Sequence, residues 1–230
     1  MNGELAQAVA LVAHGNAALA GLADLSSFET DNSTCRYVRS LSLEVPARRT
    51  LRRVGSIAEW VRAIAKWKVT RLSLLAGGEQ PVAFANEGGW GLLGHARGRV
   101  CAWYPWWEVN QQVFDQGGDD HTIWEVDYRA LPRRGAAGVA ETDLRARSDE
   151  LVGAVRAARD FAGEPSSQRG FFVDWFDESL ELATSSSPVG PYHPDVLPEV
   201  GYSLAARRLV AMSARAWVFG GMGSWNDGGY

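Results

Sequence analysis

Val100-Cys101-Ala102-Trp103-Tyr104-Pro105-Trp106-Trp107-Glu108-Val109 is the stretch whose reading decides the fold. A run this rich in aromatic and apolar residues is no solvated loop. It predicts a strand buried on at least one face, in a sheet that the rest of the chain covers. The surrounding residues 88–128 hold Trp90, Trp103, Trp106, Trp107 and Trp124, half of the chain's 10 tryptophans. Large aromatics serve cores and binding surfaces alike, so their abundance does not choose between the two.

Working outward, residues 90–95 and 99–109 read as a hairpin about Ala96-Arg97-Gly98. In residues 122–128, Trp124, Val126 and Tyr128 alternate with Glu125 and Asp127, the pattern of an edge or half-exposed strand. Period-two patterning predicts another strand over residues 35–45, and shorter ones follow at 69–75 and 81–85. Ser56 with Glu59 forms a capping box, and Ile57, Trp60, Val61, Ile64 and Trp67 then share one helical face. Residues 4–19 read as a helix whose stripe is Leu5, Val9, Val12, Asn16 and Leu19, its end weakened by Gly15-Asn16 and Gly21.

Residues 131–139, with Pro132, Arg133, Arg134 and two glycines, read as a linker. Beyond it the pattern turns helical: 142–162 capped by Thr142, then 172–184, then 202–217, with a four-proline loop over 185–198. The order predicts an α+β fold, a mostly antiparallel central sheet with an N-terminal helix and three C-terminal helices packed on it. A single domain spanning 1–230 is expected, with a lobe boundary near 131–141 as the alternative.

The chain has 230 residues, 46% apolar and 22% charged, enough for a sizeable core. A net charge of −4 argues against a sequence-independent nucleic-acid binder. Lys66 and Lys68 are the only lysines, an arginine bias that suggests a GC-rich bacterial genome. Cys35 and Cys101 read as reduced structural residues, both in strands. Glu4 stands where a signal peptide wants positive charge, and no apolar run approaches a membrane span. A cytoplasmic protein without a membrane segment is the expectation.

Charge is the strongest functional feature. Between Arg169 and Arg207 lies no lysine or arginine, while Asp174, Asp177, Glu178, Glu181, Asp195 and Glu199 all fall inside. On a helix Asp174, Asp177, Glu178 and Glu181 occupy a sector of about 100°, opposite Trp175, Phe176 and Ala183. Such a face is solvated, or a docking surface for a basic partner whose arginines supply the missing i,i+4 compensation, or, least specifically, a metal site. A second cluster, Asp119-Asp120-His121 with Glu125 and Asp127 on one strand face, has residue types suited to acid–base or metal-assisted chemistry, with His95 as a candidate second histidine. The charged outer side of a strand is its plainer reading. Arg48, Arg49, Arg52 and Arg53 read first as a solvated loop, with internal pairing to carboxylates or phosphate contact as the alternatives.

No catalytic motif is specific. Gly220-Gly221-Met222-Gly223-Ser224 follows a helix and lacks the lysine of a phosphate loop. Tyr192-His193-Pro194-Asp195 reads as a turn. No nucleophile elbow occurs, and no cofactor or metal is implied. The expectation is therefore a non-enzymatic protein-binding protein that docks a basic partner, of the kind a bacterial immunity protein is. A small hydrolase built on the Asp119–Asp127 cluster, or an assembly subunit, are the alternatives.

Overall fold

The structure, a computed structural model, describes residues 1, 3–47, 50–75, 90–116, 121–134, 142–167 and 169–218. It is the α+β fold that the patterning predicts. The strands are β1 (Val38–Pro46), β2 (Leu51–Val54), β3 (Val69–Leu75), β4 (Gly91–Ala96), β5 (Arg99–Val109) and β6 (Trp124–Arg134). They form one sheet in the order β2-β1-β6-β5-β4-β3. Every neighbouring pair is antiparallel except β1 with β6, which is parallel. The helices are α1 (Gly3–Leu19), α2 (Phe28–Asp31), α3 (Ile57–Lys66), α4 (Gln111–Gln116), α5 (Leu144–Gly163), α6 (Phe172–Leu182) and α7 (Leu204–Arg215). The strand expected at 81–85 and the glycine-rich run at 220–224 fall outside the described residues.

Alternation along the strands sends Leu41, Leu43, Leu72, Leu92, Trp103, Val126 and Tyr128 to one sheet face, where α1 and α3 cover them. Burying each such side chain stabilises the fold by about 1.5–3 kcal/mol. Trp60 of α3 meets Trp103 edge-on, ring centroids 5.3 Å apart. The Trp103 indole then donates to the Glu44 carbonyl at 2.7 Å, which gives a buried N–H its partner. Half of the expected capping box starts α3, the Glu59 amide donating to Ser56 Oγ at 3.2 Å. The Glu59 carboxylate, however, takes Arg52 at 2.7 Å, and Glu29 accepts from the Ile57 amide.

Several expectations are corrected. β6 lies in the middle of the sheet, between β1 and β5, not at an edge. Its alternation reports one open face, and an open face does not make an edge. The strand also runs through Leu131 and Pro132 to Arg134, into the expected linker. The proline is tolerated because β1 leaves β6 after the Leu43–Tyr128 pair. On that vacated side the Ala130 amide donates to the Glu44 carboxylate at 2.9 Å, and two residues on the ring nitrogen of Pro132 faces the same way. Cys35 closes a short 3-10 turn (Ser33–Cys35), not a strand. Asp143, not Thr142, caps α5, accepting from the amides of Arg145 and Ala146.

The α1 stripe is also redrawn. Ala6, Ala10, Ala13, Gly15 and Ala17 are buried with Leu5 and Leu11, while Val9 and Val12 are only partly covered. Gly15-Asn16 does not loosen the helix but docks it. A Cβ at Gly15 would stand 2.6 Å from Leu72 Cδ1, so the glycine lets α1 close on β3. Asn16 then clasps the edge strand. Its amide donates to the Leu72 carbonyl at 3.0 Å, and its oxygen accepts from the Leu72 amide at 2.7 Å. The side chain stands in for the neighbouring strand that β3 lacks.

The C-terminal helices pack most closely on one another, with a second core of Val155, Ala162, Phe172 and Phe176. Ser179 locks α6 to α7 by donating to the Met212 carbonyl at 3.0 Å. Residues 183–203 connect α6 to α7 and reach back to the sheet side of the molecule. Among the described residues, no helix is long and apolar enough to cross a membrane.

Candidate functional site

α6 carries the acidic face where the spacing places it. Phe172, Phe176 and Ser179 point inward, and Asp174, Glu178 and Glu181 are exposed, with Asp177 half-buried. Two of the four carboxylates are spoken for by arginines of other helices. Arg159 of α5 holds Asp177 in a forked contact, Nε to Oδ1 at 3.0 Å and Nη2 to Oδ2 at 3.4 Å. Arg215, in the last turn of α7, meets Glu178 at 2.5 Å. Its guanidinium also lies 3.8 Å from the ring centroid of Trp175, and only 15% of its side chain is exposed. Among the described residues no cation pairs with Asp174 or Glu181.

These side chains border an open cleft of about 440 Å³. Its lining comprises Glu178, Glu181 and Leu182 of α6, Ser185, Val189, Gly190 and Pro191 from the segment that follows, and Arg215 of α7. Arg208 fixes the rim from behind, donating to the carbonyls of Ser185 at 2.8 Å and Thr184 at 3.1 Å. Two carboxylates against one guanidinium leave the lining with one uncompensated negative charge. Leu182, Val189 and Pro191 add apolar surface. That combination suits a long cationic side chain, whose methylenes lie on the apolar lining while its charged head reaches Glu181.

The second sequence cluster is spread differently. Asp119 and Asp120 lie outside the described residues. His121 stands exposed ahead of β6. Glu125 and Asp127 do share a face, but each is engaged. Asn110 donates to Glu125 at 2.6 Å. Asp127 accepts from Ser42 at 2.8 Å and pairs with Arg53 at 2.8 Å and Arg129 at 3.0 Å. Arg129 stacks 4.8 Å from the centroid of the exposed Trp106. His95 is distant from this cluster. It aligns through Val100 with Arg133, roughly 30 Å along β6 from Trp124 at a strand's rise per residue. Arg52 and Arg53 pair internally, while Arg48 and Arg49 lie outside the described residues. Among the described residues, no group of three His, Cys, Asp or Glu side chains is placed to hold a metal ion.

One polar junction is invisible in the sequence. Asp195 accepts from the Ser33 amide at 2.8 Å and from Ser33 Oγ, so it caps the 3-10 turn from 162 residues away. His193 Nδ1 lies 3.4 Å from Ser33 Oγ. Serine, histidine and aspartate meet, but in the wrong order for a nucleophile. The aspartate holds the serine directly, whereas a catalytic triad has it orient the histidine.

Both thiols are buried enough to be inert, each pushed up to about 11 by loss of solvation. Comparison of the chain with protein-family models, curated proteins and solved structures returns no match.

Proposed function

We propose that the protein is a binding protein, and that its cleft between α6 and residues 185–191 receives a basic segment of a protein partner. The observation that carries this reading is the open cleft lined by Glu181, a carboxylate with no ion-pair partner among the described residues, and by the exposed Val189. Asp174 extends the negative surface along the same helix. Asp177 and Glu178 contribute less than the sequence suggests, because Arg159 and Arg215 already offset them. An immunity-type role, holding a basic effector, is the form of binding that this arrangement suits. Steering by the acidic face would speed encounter, and contacts to Leu182, Val189 and Pro191 would slow release.

Calorimetric titration with an arginine-rich peptide at low ionic strength tests the reading. Wild type is expected to bind, and Glu181→Lys to bind roughly tenfold more weakly, since reversal removes one attraction and adds one repulsion. About 0.3 M salt should erase most of the difference. Equal binding by wild type, Glu181→Lys and Asp174→Lys would end the proposal. Asp177 is a poor probe, because its loss also strands Arg159.

A further inference from the structure

The segment after α6 that lines the cleft is fastened to the sheet side of the molecule just beyond its lining residues. The fastening is a cluster of titratable groups. His14 Nε2, on α1, lies 2.9 Å from the Asp195 carbonyl oxygen, so that nitrogen carries a proton and donates. The same carbonyl accepts from Asn32 Nδ2 at 3.0 Å. The Asp195 carboxylate takes the amide and hydroxyl of Ser33, and His193 stands over that hydroxyl. Since the Ser33 proton goes to Asp195, His193 Nδ1 is the donor toward Ser33. Tyr192, immediately before, is held at φ 66°, a conformation a tyrosine rarely adopts, so contacts on either side must impose it.

We infer that His14, His193 and Asp195 form an acid-sensitive latch, which holds residues 183–203 against α1 and the 3-10 turn at neutral pH and releases them when the imidazoles charge. Both histidines are kept below their ordinary range chiefly by burial. The groups that face them set the balance. The Phe28 ring meets His14 edge-on at 5.0 Å and offers no counter-charge. Asp195 attracts a charge on either imidazole but is outweighed by the lost solvation. The Met1 amine, pushed down to about 5 by burial, is largely uncharged at neutral pH and repels a charge on His193 only as it protonates. The sign follows. The latched form binds fewer protons than the released form, so it is fully favoured above a free histidine's range and loses ground as pH falls below about 6.5. This holds whatever the cleft receives.

Amide hydrogen exchange on the full chain, corrected for intrinsic rates, reads the latch. Between about pH 7 and about pH 5, protection at residues 192–196 is expected to fall severalfold while the β5 core keeps its own. His14→Gln with His193→Gln keeps side-chain donors but cannot charge, and should remove most of that pH dependence. An unchanged pH dependence in this variant, or none in wild type, overturns the inference. A second readout needs no variant. The imidazole resonances of the chain's 4 histidines report their titration directly. His14 and His193 are expected to charge below the free-histidine range, together with the loss of protection, and charging at or above that range overturns the latch.

Discussion

Replacing Asn16 by alanine removes the two hydrogen bonds that close the β3 edge. Each made bond is worth about 1 kcal/mol net, and leaving the Leu72 amide and carbonyl without partners under α1 adds about 1–3 kcal/mol. Alanine's better helix propensity returns about half a kcal/mol. The expected loss is about 2.5–4.5 kcal/mol. At about 2–4 °C per kcal/mol for a chain of this size, the unfolding midpoint should fall by roughly 5–18 °C. Urea and thermal unfolding measure it. Asn16→Asp separates the chemistry from the packing. Aspartate can still accept from the Leu72 amide but turns a second acceptor toward the Leu72 carbonyl. Protonation restores a donor, so the folded-state carboxyl is raised, and the variant should be weakest at neutral pH and recover as pH falls. A loss under about 0.5 kcal/mol for Asn16→Ala would refute the edge-clasp reasoning.

Three further expectations concern other sites. Gly94→Ala should destabilise by about 1–3 kcal/mol in urea unfolding, because its Cβ would stand 2.8 Å from the rigid, fully buried Trp103 ring and 3.3 Å from Val69. Lys68→Gly should stabilise by about 0.5–1 kcal/mol, measured the same way, since Lys68 follows α3 at φ 63°, where glycine carries no steric cost. Native protein should react with a thiol reagent at pH 8 roughly a hundredfold more slowly than denatured protein, because Cys35 and Cys101 each ionise only near about 11. Rapid labelling of either in the folded state would show that its burial is overstated.

What the sequence made legible was local. The Ser56 cap of α3, the hairpin about Gly98, the aromatic strand and the helical rows of α6 all rest on neighbours within a few residues, and each stands in the structure. Position in the sheet was not local. β6 carries charges on alternate residues, the signature of an edge, yet Arg53 of β2 crosses the open face to meet Asp127 and a central strand keeps its carboxylates. Pro132 read as a break because nothing nearby says that β1 has already turned away. Asn16 was counted in the α1 stripe and, with Gly15, looked like a weakness at its end, whereas its carboxamide mimics a peptide group against Leu72. The candidate site divides in the same way. The positions of Asp174, Asp177, Glu178 and Glu181 followed from helical spacing, but the arginines that offset two of them come from α5 and α7. The latch joins residues 160 and more positions apart, and no periodicity signals it.

Binding location is the decisive matter, since the molecule has a second charged, aromatic surface around Asp127, Arg129 and Trp106. Amide exchange with and without the arginine-rich peptide distinguishes the two. The expected result is slowed exchange across residues 178–191 and unchanged exchange across 124–129. Protection at 124–129, or at neither stretch, would contradict docking in the α6 cleft.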